Sequence, residues 1–207
     1  MHVVFDLDGV LLDSESDLSW LDRAMGETLE AVGLEDTAEY RSSLFPPTEE
    51  SIRSVADAAG VPVERLWAIR HRRYTEGKLA AIESGTIGPY PDVDVVRDLA
   101  DCYPLGIVSN SPQVVVETFV ERAHLDDVFE VLVGRGSALA DIGRLKPDPH
   151  MYERLHEQTT TDEYVYVGDQ ESDRQFAART GMAYLHLDRE RGPTRTLYDV
   201  QRRLSEY

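Results

Sequence analysis

Short apolar runs of strand type recur along this chain with helical patterns between them, and this alternation restricts its fold more than any other feature. The runs are His2 to Phe5, Leu105 to Val108, Phe129 to Val133, Tyr164 to Val167 and Ala183 to Leu187. Between them, Val93, Val96, Leu99 and Ala100 share one helical face, as do Val115, Val116, Phe119, Val120 and Ala123. Asp148-Pro149 reads as an N-cap and first-turn proline, opening a helix to about Glu157. Strands alternating with helices predict an α/β fold built on a doubly wound parallel sheet. In such sheets ligands sit at the carboxyl ends of the strands.

One stretch breaks the alternation. From about Glu15 to Ser84 the spacing is helical only. Leu18, Leu21, Met25, Leu29 and Val32 form one stripe, and Ile52, Val55, Ala56 and Ala59 a second. A third begins at Pro62 and carries Val63, Leu66, Trp67 and Tyr74. The Gly- and Pro-rich connector Ser84 to Pro91 reads as a hinge. The expected organisation is an α/β core, 1–14 and 85–207, with a small helical domain, 15–84, inserted after the first strand. A length of 207 residues suits one domain with such an insertion.

The strand ends collect the chemistry. Phe5-Asp6-Leu7-Asp8-Gly9-Val10 follows the first strand. Carboxylates two residues apart on a continuing strand point the same way, and burying both is costly unless a cation or proton relieves them. Gly9 permits a sharp turn that brings backbone N–H close to a ligand. Taken alone, the string also fits an ordinary acidic turn. Val108-Ser109-Asn110 ends the second core strand with a hydroxyl and an amide, which suit a phosphate oxygen or a helix cap. Lys146 offers a compact positive charge just before a helix. Beside nineteen arginines the chain has only Lys78 and Lys146 as lysines, so a lysine here suggests a need for a point charge. Val167-Gly168-Asp169-Gln170-Glu171-Ser172-Asp173 adds carboxylates at the fourth strand end, where a helix N-terminus welcomes acids even without a metal.

In this order, these residues resemble the four motifs of the haloacid dehalogenase superfamily, and the inserted helices resemble the cap of its subfamily I. The resemblance implies that Asp6 is a nucleophile forming an aspartyl-phosphate, with Asp8 as general acid and then general base. It implies phosphate binding by Ser109 and Lys146, with Asn110 shaping the phosphate loop. It also implies magnesium held by the Asp6 carboxylate, the Asp8 main-chain carbonyl and Asp169, with Asp173 a ligand directly or through water. Superfamily members that cleave carbon–halogen bonds lack the second aspartate of the first motif, so Asp8 favours phosphoryl chemistry. The opening Asp6 to Ser14 is similar to that of phosphoglycolate phosphatases. The expected activity is therefore hydrolysis of a small phosphorylated metabolite.

Two other readings stand beside it. A sugar phosphomutase, similar to β-phosphoglucomutase, uses the same scaffold, but such enzymes characteristically carry an acidic pair in the fourth motif where this chain has Gly168 before Asp169. A non-catalytic binding protein is expected to have lost Asp6, Asp8, Lys146 or Asp169, and all four are present. The loop Leu44-Phe45-Pro46-Pro47-Thr48 departs from the glycine-containing specificity loop of many subfamily I caps, which leaves the substrate open.

Charge narrows the partners. Thirty-nine acidic residues against twenty-one basic ones give a net charge of −18, which argues against nucleic acid and anionic membranes. The carboxylates are spread along the whole chain, the pattern expected of a halophilic protein in a salt-loaded cytoplasm. No apolar run approaches the ~18 to 20 residues of a membrane span. No signal peptide is visible, and the single Cys102 forms no internal disulfide. A cytoplasmic location is expected. Arg70-His71-Arg72-Arg73 either greets an anionic substrate or forms a solvated helix face. Trp20 and Trp67 fit apolar stripes and read as packing. Gly134-Arg135-Gly136 does not continue into a dinucleotide fingerprint.

Overall fold

His2, Val3, Val4 and Phe5 are buried without exception, a pattern that suits a strand covered on both faces in the middle of a parallel sheet. This is β1 (His2–Phe5), in a structure obtained as a computed structural model that describes residues 1–206. The chain continues through β2 (Leu12–Asp13), α1 (Ser19–Ala31), α2 (Ala38–Leu44), α3 (Glu49–Ala59) and α4 (Val63–Glu83). Next come β3 (Gly88–Pro89), α5 (Val95–Ala100), β4 (Leu105–Pro112), α6 (Gln113–Arg122) and β5 (Val131–Arg135). A 3₁₀ turn (Leu139–Arg144), α7 (His150–His156), β6 (Tyr164–Gly168), α8 (Glu171–Thr180), β7 (Ala183–His186) and α9 (Leu197–Leu204) complete it.

Two compact units result. The first holds Met1–Glu15, Ile87–Arg135 and the chain from Arg144 onward. Its five-stranded sheet has the order β5-β4-β1-β6-β7, parallel throughout. Helices connect the strands, as parallel crossovers require, so the fold is the doubly wound α/β type. β1 sits between two strands from far along the chain: Phe5 is opposite Ile107 on one side and Val167 on the other. The strand order reverses about β1, and ligand sites form at the carboxyl ends flanking such a point. Below those ends, Val4, Val108, Val133, Tyr166 and Phe176 belong to one apolar cluster.

Some boundaries differ from the sequence expectation. β4 runs on to Pro112 instead of ending at Val108, because Pro112 pairs with Arg135 of β5 after a register shift. β5 begins at Val131, two residues later than expected. α7 begins at His150, where the Asp148 carboxylate accepts the His150 N–H at 2.9 Å. The connector after α4 contains β3, antiparallel to β2.

The second unit holds Ser16–Thr86 and Gly136–Gly143. The latter segment was expected within the α/β core. The Trp67 indole N–H donates to the Ser137 carbonyl at 2.8 Å and ties it to the helices. Trp20, Met25 and Leu29 of α1 and Leu66, Trp67 and Tyr74 of α4 are all buried, so both tryptophans serve packing as expected. The basic run is not a solvated face throughout. Arg70 is only 1% exposed, its guanidinium 4.6 Å from the Tyr74 ring centroid. Two turns on, the buried Lys78 ammonium lies 5.8 Å from the same ring and 5.7 Å from that of Trp20. Aromatic faces offset part of the cost of burying such cations. Arg73 instead pairs with Glu27 at 3.3 Å.

Candidate active site

Asp6 is the first residue beyond β1, and its N–H donates to Val167 O at 2.9 Å, so the pairing with β6 continues through Asp6. Its Oδ1 accepts the Leu7 N–H at 2.8 Å and meets the Lys146 ammonium at 2.9 Å. The chain then turns: the Leu11 and Leu12 N–H groups both donate to Leu7 O, and Gly9 takes φ +76°. A Cβ on Gly9 would stand 2.3 Å from Asp169 Oδ2. Glycine is thus required twice over, by conformation and by the approach of the fourth motif.

Asp8 Oδ2 accepts the Ser111 hydroxyl at 2.7 Å. Ser109, only 1% exposed, accepts the Ser111 N–H on its Oγ at 3.2 Å. The Asn110 amide clasps the main chain of Lys146, accepting its N–H at 2.8 Å and donating to its carbonyl at 3.4 Å. The Lys146 side chain reaches three acceptors: Asp6 Oδ1, Asp173 Oδ1 at 2.7 Å and the Tyr166 hydroxyl at 2.7 Å.

Asp173, fully buried, also accepts the Asp169 and Gln170 N–H groups on Oδ2, at 3.2 and 3.1 Å. A Cβ on Gly168 would lie 2.5 Å from Asp173 Cβ, so no larger residue fits before Asp169. Asp169 accepts the Gln170 side-chain amide on Oδ2 at 2.8 Å, while its buried Oδ1 has no hydrogen-bond partner.

Three carboxylates share this desolvated corner with one ammonium. Burial, opposed by Lys146 and reinforced by Asp173 and Asp8, pushes Asp6 up to about 7. Burial likewise lifts Asp169 to about 6, against the Gln170 hydrogen bond. Burial alone would lower Lys146, but the Asp6 and Asp173 carboxylates outweigh it and hold the ammonium above its ordinary value. Such excess negative charge calls for a cation. Asp6, Asp169 and Asp173 each present an oxygen within 4.8 Å of the others. Together with the orphaned Asp169 Oδ1, this all-oxygen set fits a hard divalent ion.

The family model described as haloacid dehalogenase-like hydrolase matches residues 3–187. The chain belongs to that family. Among other haloacid dehalogenase-like proteins, the phosphoglycolate phosphatase of Rhodobacter capsulatus is 23% identical over 190 residues, covering 88% of this chain and 82% of the relative. The fold is shared with CbbY of Rhodobacter sphaeroides in complex with phosphate, at TM-score 0.66 and 21% identity over 90% of this chain and 85% of that one. It is shared too with a proposed β-phosphoglucomutase from Thermotoga maritima, at TM-score 0.60 and 20% identity over 96% and 90% of the two chains.

The motif residues singled out from this haloacid dehalogenase-like sequence therefore lie at the carboxyl ends of β1, β4 and β6, on the turn before α7 and, for Asp173, in the first turn of α8. Two residues with direct bonds to them were missed. Ser111 is signalled by the strand period of two, which sets it on the same face as Ser109. Tyr166 is signalled by a phenol among the valines of β6, a hydroxyl in an apolar strand that needs a partner.

Proposed function

We propose that this hydrolase is a magnesium-dependent phosphatase of small phosphorylated metabolites that works through an aspartyl-phosphate on Asp6. The observation that carries the reading is the Asp6 carboxylate, buried at the carboxyl end of β1 and fixed through Oδ1 by Leu7 N–H and Lys146; attack is assigned to Oδ2. In the first half-reaction Asp6 Oδ2 bonds to phosphorus as the ester P–O bond breaks, and protonated Asp8 gives its proton to the leaving oxygen. In the second, Asp8 takes a proton from water, whose oxygen bonds to phosphorus as the P–Oδ2 bond breaks. Inorganic phosphate leaves and Asp8 is protonated again. Ser109 and Lys146 are assigned to the phosphoryl oxygens, and Asn110 to shaping their loop through its clasp on Lys146.

Magnesium would be held by the carboxylates of Asp6 and Asp169 and the main-chain carbonyl of Asp8. Both Asp173 oxygens are engaged by Lys146 and two N–H groups, which favours a role for Asp173 behind the ligands or through water. When bound, the ion supplies positive charge to the transferring phosphoryl oxygens.

Residues 15–84 we assign to substrate selection and the remainder to chemistry, in a cytoplasmic protein. The Rhodobacter capsulatus relative is a phosphoglycolate phosphatase, which nominates phosphoglycolate as the first substrate to assay. Net hydrolysis is preferred to mutase turnover because the space before Asp169, where phosphomutases carry an acid, is closed to any side chain by Asp173.

The test is Asp6→Asn, which keeps the shape and removes the nucleophile. It is expected to abolish magnesium-dependent phosphate release, and fluoroberyllate is expected to bind beside Asp6 in the wild type. Near-normal turnover by the variant would end the covalent reading. Glucose 6-phosphate formed from glucose 1-phosphate faster than free phosphate would instead favour the mutase.

A further inference from the structure

Lys146 is held more fully than a charge that merely faces a ligand. An ammonium has three N–H donors, and here three acceptors surround it: Asp6 Oδ1 at 2.9 Å, Asp173 Oδ1 at 2.7 Å and the Tyr166 oxygen at 2.7 Å. The first two are carboxylates that draw the ammonium along the line between them. The third is neutral, and it comes from β6, the strand that ends at the fourth motif. We infer that Tyr166 is a positioning residue that acts through Lys146, fixing the ammonium against Asp6 and tying it to the strand that carries Ser109.

Tyr166 is itself aimed. Its hydroxyl proton goes to Val108 O at 2.7 Å, which leaves a lone pair for Lys146. Ammonium, phenol and carbonyl form a chain in which each bond polarises the next. Val108 directly precedes Ser109, so this chain joins Lys146 to β4, the strand whose Asn110 already clasps the lysine main chain. One anchor fixes the backbone of Lys146 and the other its charged tip.

Packing does not account for the hydroxyl. The Tyr166 ring is fully buried and meets Phe176 edge-on, centroids 5.3 Å apart at 73°. Phenylalanine would fill that space without bringing a polar atom into an apolar cluster. Burial holds the phenol well above its ordinary pKa, so it stays a neutral donor and acceptor. A carboxylate in its place would instead compete with Asp6 for the ammonium.

The inference rests on the phosphatase reading for its kinetic consequence, so the experiment has two arms. In the first, Tyr166→Phe is expected to lower kcat for phosphomonoester hydrolysis about tenfold to a hundredfold with little change in KM, the scale of one hydrogen bond to a charged group. In a Lys146→Ala background, the same change is expected to have no further effect on the residual rate. Tyr164→Phe is the control: its hydroxyl contacts His156 and Thr159 and lies off the Lys146 network, so kcat is expected to hold. An additive effect in the double variant, or an equal loss in the control, would overturn the inference.

The second arm needs no turnover. The chain has two lysines, so ¹⁵N-lysine labelling gives two ammonium signals, with Lys78 as internal reference. In the wild type the Lys146 ammonium is expected to exchange slowly with water, and in Tyr166→Phe to shift and exchange faster while Lys78 stays put. A fast-exchanging Lys146 in the wild type, or an unmoved Lys146 signal in the variant, refutes the positioning role. A wild type that releases no phosphate, with the spectral change present, refutes the phosphatase reading and keeps the tether.

Discussion

Ser111 gives its hydroxyl proton to Asp8, a residue 103 positions earlier in the chain, over 2.7 Å. In the proposed mechanism Asp8 first donates and then accepts a proton, which requires its oxygens to be aimed, and this bond would supply the aim. Ser111→Ala is expected to lower kcat about tenfold, equivalent to about 1.4 kcal/mol, with KM near the wild-type value. Steady-state kinetics on an alkyl phosphate check this, and an unchanged kcat would show that Asp8 is oriented by other means. Asp169 makes the opposite case, a buried oxygen without a partner. If that oxygen awaits a cation, Asp169→Ala removes the demand as well as the ligand. The variant is then expected to fold but to lose the rise in Tm that magnesium gives the wild type. A melting shift as large as that of the wild type would exclude Asp169 from the metal site.

Helix α9 shows the same physics one scale up. Thr196 accepts the Asp199 N–H on its hydroxyl at 3.2 Å, and Asp199 Oδ2 accepts the N–H groups of Arg195 and Thr196 at 3.0 and 3.1 Å. The Arg195 bond, followed by that of the Thr196 side chain, holds the Asp199 carboxyl down to about 2, from 3.8. A carboxyl lowered by folding stabilises the protein above its unfolded pKa, and that contribution fades as pH falls through the folded one. Asp199→Asn is thus expected to melt below the wild type at pH 7, with the gap closing between about pH 4 and pH 2. Thermal melts across that range test it, and a gap of constant size would mean the carboxylate charge contributes nothing.

Boundaries of this kind mark where the sequence stops being legible. β1 and β6 are plain because strands buried on both faces are apolar throughout. β4 was cut short because Ser109 to Ser111 are polar, and only pairing with β5 keeps them extended. α2 went unseen because Leu44 is its one buried residue. The segment Gly136–Gly143 joins the helices through an indole 70 residues away, a tie that no local pattern reveals. Motif residues were found because their types at strand ends are chemically unusual. Tyr166 and Ser111 were not, because their partners depend on which residues the register sets side by side.

For the whole molecule, the net charge of −18 dominates. Exposed ion pairs such as Arg174–Glu171 and Arg41–Asp36 contribute little each, whereas repulsion among the surplus carboxylates is spread over the entire surface. Raising potassium chloride from about 0.1 M to about 2 M shortens the screening length several-fold, so Tm is expected to rise. A flat or falling Tm would remove the halophilic reading. The sheet order carries a consequence of a different kind. β1 is synthesised before the other strands of its sheet, yet both strands that flank it begin only at residues 105 and 164. A ribosome adding about 5–20 residues each second leaves that strand waiting on the order of ten seconds for its second neighbour. Over that interval the nascent chain presents an apolar strand with an open edge, the kind of surface that chaperones shield from aggregation.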